Sequence, residues 1–226
     1  MTLNKPSGNM YPWAWTWNPI GGRCEHACGY CYVDRLRKRG LKKYSRAPYI
    51  VKEELSTKLT IPKNSILFVC SCYDMFGDWV PDYWIKAILI HCNNYPKTTY
   101  LFQTKNPFRL LDYKQDFPPN TILGTTLESN RTYPETKAPR PFNRFAGMTW
   151  VDDFRTMVSI EPIMAMNVRI MTNWIAEITP EFVSIGADSG KHHLEEPTSE
   201  QVTELIKELS RFTEVRQKKN LTRLLK

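Results

Sequence analysis

Acid is scarce in this chain, and long apolar runs are missing. Its 226 residues hold 23 Asp and Glu against 31 Lys and Arg, so the formal net charge is +8. No stretch approaches the roughly 18 apolar residues of a membrane span, and mean hydropathy is −0.45. Residues Met1 to Tyr11 lack the charged-then-apolar order of a signal peptide. No fixed-period repeat and no low-complexity linker divides the sequence. A disulfide framework is missing too, because three of the six cysteines crowd into eight residues. These absences exclude a membrane partner and point to one cytoplasmic domain over residues 1–226. Its core is expected at about 12–212, followed by a basic tail at 213–226.

What is present centres on Gly21-Gly22-Arg23-Cys24-Glu25-His26-Ala27-Cys28-Gly29-Tyr30-Cys31-Tyr32. The C-x3-C-x2-C spacing lets one loop wrap a corner of an iron–sulfur cubane and leaves one iron without a protein ligand. A small molecule can bind that iron. The competing arrangement is a tetrahedral zinc held by Cys24, Cys28, Cys31 and His26 or a remote residue. His26 is only two positions from each flanking cysteine, which strains that reach. Cys70, Cys72 and Cys92 lie in apolar stretches and read as small buried hydrophobes.

Short β-rich runs recur at Trp13–Trp17, Ser65–Val69, Thr99–Gln103, Thr121–Thr126, Met157–Ile160 and Phe182–Ile185. Helical patterns lie between them. Val51, Leu55 and Leu59 repeat every four residues, and Trp84, Ile85, Ile88, Leu89 and Cys92 form one stripe. Thr198 and Gln201 make a capping box ahead of a helix over about Ser199–Phe212. Asp112–Pro119 and Pro134–Pro141 read as loops. Six strands alternating with helices predict a parallel α/β sheet, a partial (β/α)6 TIM-like barrel. Polar clusters follow each predicted strand: Cys24–Cys31, Ser71–Asp74, Gln103–Lys105, Thr125–Ser129, Glu161 and Asp188–Ser189. Carboxyl strand ends are where such folds place their chemistry.

The three cysteines and the aromatic Tyr30 resemble the signature of the radical S-adenosylmethionine superfamily. Further segments are similar to a phage-associated family of unknown function within it. They are Thr16–Pro19, Ser71–Phe76, Gln103–Pro107, Gly124–Ser129, Ser159–Pro162 and Ile185–Gly190. Two positions depart from that family's pattern, at Cys72-Tyr73 and at Ala187-Asp188. A looser similarity is to spore photoproduct lyase and its relatives. The resemblance implies a [4Fe–4S] cluster on Cys24, Cys28 and Cys31, bound S-adenosylmethionine, and a flavodoxin- or ferredoxin-like electron donor. It implies that Tyr30 lies near the adenine, and Ser71 and Asp74 near the ligand's amino group. Lys105 would face its carboxylate. Thr126, Glu128 and Ser129 would lie near the ribose, with Glu161 at the next strand end. Cys72 becomes a candidate hydrogen donor to a product radical.

Charge adds a partner class. Arg35, Arg37, Lys38, Arg39, Lys42, Lys43 and Arg46 fall within twelve residues, and Arg216, Lys218, Lys219, Arg223 and Lys226 close the chain. Such patches attract DNA or RNA backbones. The expected function is radical modification or repair of a nucleic acid or nucleotide. The alternatives are a small-molecule or peptide substrate, and a non-catalytic zinc or iron–sulfur protein that binds nucleic acid.

Overall fold

A computed structural model describes residues 3–6 and 10–226. The chain runs β1 (Ala14–Trp17), β2 (Ile20–Gly21), α1 (Tyr32–Lys38), β3 (Tyr49–Ile50), β4 (Ile66–Val69), α2 (Asp82–Asn93), β5 (Thr99–Thr104), β6 (Thr121–Thr126), α3 (Pro141–Met148), β7 (Arg155–Ile160), α4 (Val168–Ile178), β8 (Phe182–Ile185), α5 (Ser199–Leu209) and β9 (Glu214–Gln217). Seven strands form one sheet in the order β1-β4-β5-β6-β7-β8-β9. Every pairing in it is parallel. β2 and β3 make a separate antiparallel pair.

The sheet is curled into a half-barrel. Trp13, just before β1, meets Phe182 of β8 edge-on at 5.3 Å although four strands of the sheet lie between them. Lys218, just past β9, reaches the carbonyl of Met10. Both contacts require the sheet's two ends to approach each other.

Curling separates two apolar clusters. The outer one joins the sheet to its helices through residues such as Val69, Ile85, Leu123, Ile175 and Leu205. The inner one is Tyr11, Ala14, Phe68, Leu101, Ile122, Met157 and Phe182. β6 reads Thr-Ile-Leu-Gly-Thr-Thr and is buried at all six positions, as a strand covered on both faces must be. Side chains two residues apart share a face, so the interior can be read upward in layers. Above Leu101 stands Gln103; above Met157, Ser159; above Phe182, Ser184. Arg216 pairs with Ser184 across β8 and β9. The half-barrel is therefore apolar at its amino end and polar at its carboxyl end.

All six expected strands are present. β9 is a seventh, drawn from the basic tail, so the expected six-unit sheet is extended by one strand. The helix at Ser199 carries the expected capping box. Cys92 is fully buried on α2, against the sheet. The Val51–Leu59 repeat is not an α-helix: only a 3-10 turn forms over Lys52–Ser56. Its start is committed elsewhere, because Ile50 pairs with Ile20 and Val51 N donates to Pro19 O at 2.8 Å.

Gly22 opens the cysteine loop with φ +100, and a Cβ there would stand 2.5 Å from Pro48 Cα. At Gly29 a Cβ would meet only Glu135 O, at 3.7 Å. Gly22→Ala is expected to destabilise the fold by more than the roughly 1–2 kcal/mol of the left-handed conformation alone, with Gly29→Ala much closer to neutral. Urea midpoints of the two variants check this contrast.

Candidate functional site

The site starts at Asn18, directly after β1. Its side-chain carbonyl accepts from Cys72 N at 2.9 Å and from the Ser71 hydroxyl at 3.2 Å, which ties this loop to the one after β4. Cys24, Cys28 and Cys31 follow, all half-buried and all free thiols. Cys28 O accepts from Cys31 N at 3.1 Å, and Cys31 caps α1.

Two clamps hold this loop. From inside, His26 Nε2 donates to Asp74 Oδ2 at 2.8 Å and packs edge-on against Trp79. From outside comes the Pro-rich segment predicted as a loop. Gly29 N donates to Glu135 O and Lys137 N to His26 O, each at 2.7 Å. Between those bonds Thr136 Oγ1 lies 3.1 Å from Cys28 Sγ.

Burial pushes the Cys24 thiol up to about 12, with Asp74 adding to the shift, and burial raises Cys31 as well. Neither ionises at neutral pH unaided. A metal bound to these thiols would expel the proton. Among the described residues no three His, Cys, Asp or Glu side chains are gathered so as to hold one metal ion. His26 Nε2, one candidate for a fourth zinc ligand, is already occupied by Asp74 Oδ2. Three thiols on one loop, lining one cavity, suit a cluster that takes its ligands at separate corners.

That cavity has a volume of about 720 Å³ and sits at the polar, carboxyl end of the half-barrel. Tyr30, Ser71, Cys72, Asp74, Lys105, Thr126 and Glu161 all line it together with the three cysteines. Glu128 and Ser129 do not; they line a separate pocket of about 40 Å³ behind it. Ser129 donates to Ala165 O at 2.7 Å. Thr126 accepts from Gln103 Nε2 at 2.9 Å.

Asp74 is fully engaged. It accepts from His26, from Lys105 N at 2.8 Å, from the Thr104 hydroxyl at 2.7 Å and from Phe76 N at 3.1 Å. Burial alone would raise its pKa, but these donors outweigh burial and hold it below the ordinary 3.8. Glu128 is a second buried acid. It pairs with Lys105 and with Arg144 Nη1 at 2.6 Å, and accepts from the Tyr30 hydroxyl at 2.6 Å. Burial opposes its charge, yet Lys105 and Arg144 win and bring it down to about 2.

Cys72 stands between two tyrosines. The Tyr32 hydroxyl lies 3.4 Å from its sulfur and donates to Ser71 O at 2.6 Å. Buried Tyr44 lies against the same thiol. On the opposite wall Glu161 pairs with Lys218, which also lies over the Tyr11 ring at 4.7 Å. Burial raises Glu161 and lowers Lys218, each against the pull of the other. Gly186 makes room for this pair, since a Cβ there would be 2.8 Å from Glu161 Oε1.

Trp13 is a cavity wall. Tyr11 stacks on it at 4.7 Å and the Arg216 guanidinium lies 4.9 Å from its ring centre. Trp17 is core. Sequence reasoning missed Arg144, Thr136 and the part played by Lys218. Arg144 carried one signal, a basic residue buried to 1%, but burial is not visible in a chain read alone.

Glu128→Gln is expected to destabilise the protein by about 3 kcal/mol near pH 6, the value of a carboxyl lowered from 4.5 to about 2. A depressed native pKa stabilises above the unfolded value, so the wild-type advantage is full above pH 5. It is lost as pH falls from 4.5 toward 2, where protonated Glu128 resembles Gln. Urea midpoints of both proteins between pH 2 and 7 check the convergence.

The architecture is similar to solved structures of spore photoproduct lyase. A cysteine-to-alanine mutant of that enzyme with dinucleoside spore photoproduct matches with a TM-score of 0.64 at 13% identity, over 96% of this chain and 78% of that one. A tyrosine-to-phenylalanine mutant matches with a TM-score of 0.62 at 11% identity over the same shares. A double mutant with bound AdoMet and dinucleoside spore photoproduct matches with a TM-score of 0.54 at 12% identity, over 88% and 61%. At these identities the likeness is one of fold. No curated protein matches the chain. The family described as a protein of unknown function, DUF5131, matches residues 11–215, nearly the whole fold, and the chain belongs to that family.

Proposed function

We propose that this chain is a radical S-adenosylmethionine enzyme acting on a nucleic acid or nucleotide. The observation that carries the first half is the shared cavity: three loop cysteines face the polar ends of β4, β5, β6 and β7 around about 720 Å³. The neighbours of like fold include one with bound AdoMet, which supports the same reading.

On this reading Cys24, Cys28 and Cys31 would hold a [4Fe–4S] cluster, and the cavity they line would take S-adenosylmethionine. When bound, the pair supplies one-electron reductive cleavage to a 5′-deoxyadenosyl radical, with electrons from a flavodoxin- or ferredoxin-like donor. The chain's own residues bind, orient and exclude water. Asp74 fixes the cysteine loop through His26. Ser71 offers its hydroxyl to the ligand's amino end. Lys105 supplies a point charge for a carboxylate, and Glu128 with Arg144 holds that lysine and Tyr30 in place. Tyr30 and Thr126 border the adenosine side. Ser129 supports the loop that carries Glu128, and Glu161 closes the far wall with Lys218.

On this reading Cys72 gives its thiol hydrogen atom to a substrate carbon radical. A C–H bond forms, an S–H bond breaks, and the sulfur radical left between Tyr32 and Tyr44 takes an electron from the external donor and a proton from water.

Two basic runs, far apart in sequence, meet at the cavity mouth. Arg35, from the first run, donates to Ser189 O and to its hydroxyl, each at 3.0 Å. Arg223, from the second, donates to the neighbouring Asp188 O at 3.1 Å. Arg35, Arg216, Lys218 and Lys219 all line the cavity. This convergence supports a phosphate-bearing substrate.

Anaerobic reconstitution is expected to give a brown protein with about four irons, as thiolate-held clusters do. With dithionite and S-adenosylmethionine it should form 5′-deoxyadenosine, and Cys28→Ala should form none. A colourless protein holding one zinc would refute the reading. For the nucleic-acid half, DNA or RNA affinity should fall steeply with salt, and removing Lys38, Arg39 and Lys42 should flatten the log–log slope by about 1 per residue. Absence of binding at low salt would leave a small-molecule or peptide substrate.

A further inference from the structure

We infer that Thr136 sets the reduction potential of the metal cluster through Cys28, an inference that rests on the proposed reading of the three cysteines. Thr136 belongs to no helix or strand. Its place is set by the two backbone bonds that flank it, Gly29 N to Glu135 O and Lys137 N to His26 O. Those bonds staple the strap to the cysteine loop on either side of the hydroxyl. Of the three cysteines, Cys28 is the one with a side-chain hydrogen-bond partner among the described residues, and that partner is Thr136 Oγ1 at 3.1 Å.

Counting protons decides the direction of this bond. The Thr136 oxygen accepts from Ala138 N at 3.1 Å. Its single proton has two candidate acceptors, Cys28 Sγ at 3.1 Å and His26 O at 3.3 Å. While Cys28 is a thiol, the S–H can donate to the hydroxyl and the hydroxyl proton can rest on His26 O. A sulfur bound to iron has no proton and only accepts. His26 O already accepts from Lys137 N, and it is neutral. The thiolate is anionic, and charge-assisted bonds are about twice as strong as neutral ones. With iron bound, the proton turns to Cys28.

A donor on a ligand sulfur draws electron density from the cluster. It therefore favours the state that has gained an electron, and raises the potential. Thr136 is a positioning residue in this sense: it touches a ligand of the metal rather than the substrate. Thr136 and Cys28 are both half-buried.

The test is an EPR-monitored redox titration of the reconstituted full chain as wild type, Thr136→Val and Thr136→Ser. Val keeps the shape and removes the proton; Ser keeps the hydroxyl. The midpoint of the Val variant should move to more negative potential, so that at the wild-type midpoint it is several-fold less reduced. The Ser variant should return to the wild-type value. An exchangeable proton coupled to the cluster should be seen by ENDOR in wild type and Ser and be absent in Val. All three should carry equal iron. Equal midpoints in loaded Val and wild type would overturn the inference, as would a Val variant that loses iron while its loaded fraction keeps the wild-type midpoint. A wild-type chain that takes up no iron would instead sink the reading of the cysteines.

Discussion

Everything at the mouth of this half-barrel hangs on one buried carboxylate. Asp74 receives four hydrogen bonds, from the cysteine loop, from the end of β5 and from its own loop. An ionised acid inside a protein is costly unless every lone pair is met. Asp74 meets that demand by drawing three segments to one point. Removing any donor would leave charge uncompensated, so the loop geometry is held by the penalty of breaking it. His26 serves as the tether that carries this constraint to the cysteines.

The rest of the cavity follows from a change in polarity along the strands. Phe68, Leu101, Ile122, Met157 and Phe182 fill the amino half of the interior. Gln103, Ser184, Arg216 and the Glu161–Lys218 pair occupy the carboxyl half. The inserted segment at Met10–Trp13 seals the lower part: Tyr11 is fully buried and donates to Gln103 Oε1 at 2.7 Å. Apolar packing below gives a rigid floor, and unspent hydrogen-bonding capacity lies above it. Ser184 Oγ, buried and without a hydrogen-bond partner among the described residues, is part of that capacity. Lys105 and the Lys218–Glu161 pair line one space with the cysteine loop, and Glu128 and Arg144 stand behind Lys105.

The six long-range strands were legible because each is a short apolar run between breakers, and full burial on two faces demands that composition. β9 was not. Glu214-Val215-Arg216-Gln217 is mostly polar and sits at the sheet's edge, so nothing in its pattern separates it from a solvated tail. Only pairing with β8 makes it a strand. The repeat at Val51, Leu55 and Leu59 misled for the opposite reason: its spacing is helical, but hydrogen bonds to Pro19 and Ile20 claim the backbone first. In the site, cysteine spacing is local and could be read directly. Arg144, Thr136 and Lys218 could not, because each acts on a partner 16, 108 or 57 residues away.

Composition and spacing alone determined the strand–helix alternation, the position of polar residues after strands and the placing of three thiols on one loop. These are properties of neighbours along the chain, where a few ångströms of backbone set the geometry. Tertiary structure alone decided that Glu128 faces Lys105 and Arg144 rather than the cavity, that His26 holds Asp74, and that two distant basic runs clasp Asp188 and Ser189. Each of those outcomes is a competition among several possible partners for one charge or one proton. It is settled only when the curled sheet brings the competitors within reach.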